Sequence, residues 1–463
     1  MLSNTMMERI LLAALSKGGD FSEIYIERAT GTSLAMINGI LEKASAGTDF
    51  GIGIRILQGD KCVYVYTNSS QPDKLIAMAQ EASASLRDLP SGMSVTLKPR
   101  EDFHSYQRKP SDIVEGKRKS DMLKLASETA KEYHTSILQT VAGYSESTKE
   151  IWIANSDGLY RTDTRAAARF GIEAVASSAT EKQSGSFNPG VSGGFSYFEN
   201  YPVRETAENA ARMAVTMLHA KDCPSGKMPV IIENGFGGVI FHEACAHSLE
   251  ATSVGIGASV FTGKMGQKIA ADCVTAIDDG TMPGEWGSLA IDDEGQMTQK
   301  NILVDRGILS GYLIDKIGER RMQMPSTGSA RRQSYQYAPT SRMTNTYIAP
   351  GEHKREDIIR ETPYGLYAKY MGGGSVDTAT GEFNFSVNEA YMIRDGQIAE
   401  PVRGATLIGK GSEILMDIDR VGDNLLLSQG VCGSVSGHVR VCVGQPTIRV
   451  KEMTVGGRED MES

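Results

Sequence analysis

The sequence predicts an α+β protein. Helical and strand-like segments mix up to about residue 225, and strands dominate beyond it. Three observations carry this reading. In the first half, apolar residues switch between a helical period and strict alternation. In the second half, hairpin turn signals recur. Between them lies KDCPSGK, a short polar stretch with Pro and Gly that reads as a boundary.

Taken in order, MLSNTMMERILLAALSKGGD places its apolar residues at helical spacing, giving an amphipathic helix that ends near Gly18-Gly19. SEIYIERATGTSLAMING and DFGIGIRILQGDKCVYVYTN read as strands with polar turns; Ile52, Ile54 and Ile56 alternate along the second. QPDKLIAMAQEASASLRD is helical. DLPSGMSVTLKPREDFHSYQRKP has no period and reads as a long connection. SDIVEGKRKSDMLKLASETAKEY is a helix with Ser111 and Asp112 as caps. Strands follow from Ser136 to about Ala176, broken by the turn Asn155-Ser156-Asp157-Gly158, and RETAENAARMAVTMLHA is an Ala-rich helix. The first domain is therefore assigned to residues 1–225, an α/β unit, and the second to residues 226–463, a β-rich unit.

The second unit opens with the strand MPVIIE and a turn at Asn234-Gly235, before GGVIFHEACAHSLEA, which reads as a helix. Hairpins are signalled at residues 304–308 and 393–397, and one short helix at REDIIRETP. Gly372, Gly373, Gly374 and Gly433 mark points of turning or close backbone approach. No internal repeat or low-complexity tract is present.

Composition narrows the function class. A chain of 463 residues with 40% hydrophobic and 23% charged residues is that of a soluble globular protein. Its net charge of −9 argues against nucleic acid as a partner. No apolar run approaches the roughly 18 residues that cross a bilayer, so no membrane association is expected. The N-terminal apolar core is short, ILLAAL, and no small-residue cleavage site follows it, which argues against a secretory signal. Six cysteines are scattered without a CxxC pair, so the expectation is a reduced, cytoplasmic enzyme with thiolates free to bind metal.

FHEACAHSLEA carries the chemistry. His242 and His247 stand five apart, with Glu243 beside the first; the familiar zinc-protease spacing is four. At roughly 100° per residue the two rings would diverge by about 140° on an ideal helix. A widened, π-type turn would bring them onto one face. The plainer alternative is two buried histidines on a core helix. Glu243 tilts the balance, because a carboxylate there can accept a proton from a metal-activated water. Catalytic zinc needs a third protein ligand. Cys245 and Glu250 are local candidates, Cys223, Cys432, Cys442 and His438 distant ones, and spacing does not choose among them.

The same motif, HEACAHSLEA, resembles the HExxxH of the TldD/PmbA (TldD/TldE) metalloprotease family. FTGKMGQKIA, IDDGTMPGEWGSLAIDDEG, SARRQSYQYAPTSRMTNTYIAPGEH, MGGGSVDTATGEFNFSVNEAY, PVRGATLIGKG and GVCGSVSGHVRVCVGQPTIRVKEMTVGG resemble its C-terminal domain in order. The resemblance covers residues 226–457 and, more loosely, the first half. It implies an α/β N-terminal domain followed by a mainly antiparallel β domain carrying the zinc helix. It also implies a catalytic TldD-like member, since TldE/PmbA-like partners typically lack the motif. The family's third ligand, from its GxCG stretch, falls on Cys432. The implied activity is zinc-dependent hydrolysis of peptides and unfolded protein segments, with Zn2+ on His242, His247 and Cys432 and Glu243 as general base to the zinc-bound water. The implied partner is a TldE/PmbA-like subunit, or a second copy in a homodimer. Two rivals stand beside this reading: a non-catalytic, zinc-braced subunit of such an assembly, and a zinc hydrolase of non-peptide amides. Ala246 stands where the family commonly has glycine; alanine adopts helical φ/ψ, so the widened turn is expected to survive.

Other features have ordinary readings. Asp278-Asp279-Gly280 and Asp292-Asp293-Glu294-Gly295 lack full EF-hand spacing and read as turns. Arg331, Arg332 and Arg342 are candidates to stabilise an oxyanion, or else are paired. GFGGV is too short for a phosphate loop.

Overall fold

The computed structural model describes residues 2–86, 93–105, 116–377 and 380–457. Ser111, Asp112 and parts of the long connection lie outside the described residues. The fold is mixed α+β with more strand than helix. Among the described residues no helix is long and apolar enough to cross a membrane.

Two long antiparallel hairpins build the first sheet. Phe21–Ile37 pairs with Ile40–Gln58 about Asn38 and Gly39, both at positive φ (48° and 78°), as a tight two-residue hairpin turn requires. Ile137–Asn155 pairs with Tyr160–Ser177 and lies beside the first hairpin. Lys61–Thr67 extends one side of the sheet; the short parallel strand Glu101–His104, inside the predicted connection, extends the other.

Alternation sorts the side chains of this sheet onto two faces. Ile24 and Ile26, with Ile52, Ile54 and Ile56, meet Ile10 and Leu11 of the helix Asn4–Ala14 and Leu75 of Pro72–Ala84. Leu34 and Met36, on the same face further along, meet the helices Gly116–Glu132 and Val203–Leu218. The opposite face carries Glu23, Tyr25 and Arg55 and receives the second half of the chain. Gly51 and Gly53 lie there because Tyr335 and Tyr64 fill the space: a Cβ on Gly51 would sit 2.1 Å from the Tyr335 ring.

In the second half, Tyr364–Val376, Gly226–Ile232, Ile448–Gly456, Thr406–Lys410 and Glu382–Arg394 pair in that order, and the first pairs with the last, closing a ring. A six-stranded sheet runs Ile308–Leu309, Lys300–Asp305, Ala276–Asp279, Asn345–Ile348, Gly437–Gln445, Leu426–Ser434. The apolar residues of the segment 239–254 are buried in the core shared by ring and sheet. The predicted linker is not loose: Lys221–Asp222 pairs with Gln397–Arg403, and Cys223 is buried. The helices Lys316–Met322 and Gly411–Asp417 were not expected.

Buried ion pairs join the halves. Arg55 reaches Glu23 at 2.9 Å and Glu294 at 2.6 Å, and Arg332 reaches Glu23 at 2.8 Å. Arg165 reaches Asp163 at 2.9 Å and Asp293 at 2.5 Å. Removing one member strands a desolvated charge, so Arg55→Ala is expected to cost about 3–5 kcal/mol. A drop in the urea midpoint that persists in high salt would show it; an unchanged midpoint would mean the network does not hold the halves together.

Candidate metal centre

The strand Gly226–Ile232 leads through Asn234 and Gly235 (φ 75°) into a 3-10 turn, Gly235–Gly238, and the short helix Val239–Ala244. The glycines of GFGGV serve packing: a Cβ on Gly238 would sit 2.5 Å from the Gly444 backbone. The helix ends at Cys245 (φ −130°, ψ −51°), a second 3-10 turn spans Ala246–Leu249, and Glu250 is extended. The widened turn expected from the spacing is therefore absent. Rotation is corrected by breaking the helix between the histidines, after which their rings stand 5.0 Å apart at 84°.

Cys432 comes to the same point from the strand Leu426–Ser434, its Sγ 3.2 Å from His247 Nε2. Ligand atoms of His242, His247 and Cys432 all lie within 4.8 Å of one another. Of the alternatives, Cys245 is buried in the core, Cys223 faces the Pro224 carbonyl, Cys442 faces Glu285 and His438 faces Gln333. Burial pushes the Cys223 thiol up to about 11 and the Cys442 thiol up to about 12. The other sequence candidates are structural. Arg331 donates to the Met343 carbonyl, Arg332 belongs to the ion network, and Asp278 accepts from Thr344 and Thr346.

Glu250, a candidate ligand by sequence, instead faces His247 Nδ1 through Oε2 at 3.2 Å. A carboxylate on Nδ1 orients the ring and leaves Nε2 toward the donor cluster. Arg342 backs Glu250, with Nε 3.9 Å from Oε1, and its Nη2 donates to the Cys432 carbonyl at 2.7 Å. No local pattern in the sequence marks either role; only the i, i+3 spacing of His247 and Glu250 hinted at a contact.

Glu243 Oε2 lies 3.6 Å from His247 Nε2, and this side chain remains 27% exposed. Burial, helped by the Glu250 carboxylate, raises the Glu243 carboxyl above its ordinary range. Burial, with His247 and Arg342 nearby, holds His242 well below its ordinary value and so neutral. Burial opposes the charge on His247, but Glu250 and the Cys432 thiol outweigh it and hold that ring well above its usual value. His242 Nδ1 is buried with no hydrogen-bond partner among the described residues. An orphaned imidazole nitrogen, a second imidazole and a thiol suit a borderline-soft cation such as zinc.

An α+β fold that gathers these donors defines the class, a protein with a candidate transition-metal centre. Comparison with known proteins then gives the family. Models of the PmbA/TldA metallopeptidase domains match residues 22–86 (domain 1), 109–218 (central domain) and 225–457 (C-terminal domain). A metalloprotease TldD homolog of Buchnera aphidicola is 34% identical over 95% of this chain and 93% of its own. A zinc metalloprotease TldD homolog of Saccharolobus solfataricus is 29% identical over 55% of this chain and 58% of its own. The crystal structure of TldE from Thermococcus kodakarensis shares the fold, with a TM-score of 0.75, 20% identity, and coverage of 98% of this chain and 100% of that one. The chain belongs to the PmbA/TldD metallopeptidase family.

Zinc titration checks the cluster. Wild type is expected to bind about one ion, and His242→Ala, His247→Ala and Cys432→Ser to lose most of it. Cys245→Ser and Cys442→Ser should keep it. Glu250→Gln should bind roughly 10–100-fold more weakly; unchanged affinity would remove Glu250 from an orienting role.

Proposed function

We infer that this chain is a zinc-dependent peptidase acting on peptides and unfolded protein segments. The observation that carries the reading is the convergence of His242, His247 and Cys432 within 4.8 Å, with the accessible Glu243 carboxylate beside them. These three residues would hold the ion, which when bound supplies Lewis acidity and lowers the pKa of water to roughly 7. Three donors leave a coordination position open, which favours a catalytic over a bracing role. Glu243 would take a proton from the attacking water and return it to the leaving amine. Glu250 and Arg342 act behind the donors: one fixes the His247 ring, the other the Cys432 backbone.

The Cys432 strand also supports peptide binding. Leu426–Ser434 is the last strand of its sheet, and among the described residues no strand pairs with its outer edge. The register leaves the backbone groups of Leu427, Gln429, Val431 and Gly433 on that outer edge, because Cys442, opposite Gln429, turns its own N–H to the Thr344 carbonyl. A substrate would add there as a strand through its own backbone groups. A TldE/PmbA-like subunit or a second copy of this chain would complete the enclosure.

Glu243→Gln should retain zinc and fold while losing peptide cleavage by on the order of 10² or more; cleavage near the wild-type rate would rule out the proposed base.

A folded protein has its backbone groups already paired, so unfolded chains should be cut much faster than the same proteins in native form. Proline in the bound segment should slow cleavage. A side-by-side digest of native and unfolded substrate, with and without a TldE-like partner, tests this; equal rates on both forms would exclude strand addition.

A further inference from the structure

A cleft of about 640 Å³ opens beside the Cys432 strand, between the two halves of the chain. One wall is that strand, through Ser428, Gln429 and Val431; the others include Arg169 and Phe187 from the first half and Lys369 from the closed ring. At roughly 3.3 Å per residue, Gln429 lies about 10 Å along the strand from Cys432. A peptide paired with the open edge would thus lay residues a few positions from the cleaved bond into this cleft.

The lining cations differ in what they already hold. Lys369 pairs with Glu389 at 3.0 Å, and Arg355 with Glu233 at 2.5 Å. Arg169 pairs with no carboxylate among the described residues. Its Nε donates to the Asn188 carbonyl at 3.2 Å, and its guanidinium lies 5.8 Å from the centre of the Trp286 ring. That is its only hydrogen bond among the described residues, so its two terminal amino groups keep their donors. Burial holds this half-buried cation below its ordinary pKa, a cost that an incoming anion would offset. The next cation along the same indole, Arg440, lies 5.2 Å from it and also forms no salt bridge among the described residues. Arg169 and Arg440 thus both lie against this indole without a salt bridge among the described residues, in a chain whose net charge is −9.

We propose that the cleft receives the peptide flanking the cleaved bond, and that Arg169 binds a carboxylate carried there, from an Asp or Glu side chain or from a free C-terminus. This makes Arg169 a specificity-determining residue for acidic peptides, and it rests on the peptidase reading above. Two sets of matched peptides separate the sources: Glu against Gln at successive positions, and free against amidated C-termini. Wild type should favour one carboxylate-bearing set in kcat/KM by roughly tenfold. Arg169→Gln should lose that preference while cleaving neutral peptides as before and keeping its zinc and unfolding midpoint, and Arg169→Lys should retain part of it. No preference in wild type, or the same preference in Arg169→Gln, overturns the proposal. If wild type cleaves no peptide, the peptidase reading fails, but equilibrium binding of the same labelled peptides still decides the cleft. Carboxylate-dependent binding lost in Arg169→Gln supports it, and equal binding by both proteins sinks it.

Discussion

The candidate centre depends on one buried guanidinium. Arg342 is fully buried and bonds the Cys432 carbonyl, the Ser436 hydroxyl and the Gly437 carbonyl, all on the hairpin that carries the thiol. Its remaining nitrogen faces Glu250, and Glu250 faces His247. A cation removed from water must keep a carboxylate near it, and a carboxylate removed from water must keep its cation. The thiol and the imidazole, 185 residues apart in sequence, are therefore held in mutual register by charges that neither segment could bury alone.

The same stretch of chain anchors the other half of the molecule. Arg332, ten residues before Arg342, crosses to Glu23 on the first sheet and lies 4.1 Å from the centre of the Tyr25 ring. Asp293 accepts from the Arg332 backbone while pairing with Arg165 of the first half. Such networks add little net stability over well-packed apolar groups, but they punish misregistration. Registration is what the site needs, because the cleft beside Cys432 takes its walls from both halves.

Much of this was legible in sequence, and the exceptions share a cause. The first-half helices and the hairpins lie where apolar period and turn residues place them, because those signals are local. The histidine spacing announced a problem but not its solution. Ala244, Cys245 and Ala246 contain no glycine or proline to mark a helix break, so a widened turn was the natural expectation. Cys432 could be singled out only through family resemblance, since nothing in the spacing links it to residue 242. Glu250 and Arg342 were visible as charges, but their roles follow from burial and long-range contact. The helices Lys316–Met322 and Gly411–Asp417 span only seven residues each, too few to display a period.

The Cys432 strand shows how these constraints meet. An unpaired, apolar edge invites unwanted association, and here Leu426 and Val431 are each about half exposed with no charge on the strand to blunt it. Among the described residues no strand covers this edge, but it is walled by the first half, with Phe187 and Arg169 lining the cleft beside it. An edge left unpaired yet enclosed suits a single extended chain better than a second sheet. If a substrate adds there as proposed, the hazard and the binding surface are one feature, on a cleft whose two walls belong to halves joined by buried ion pairs.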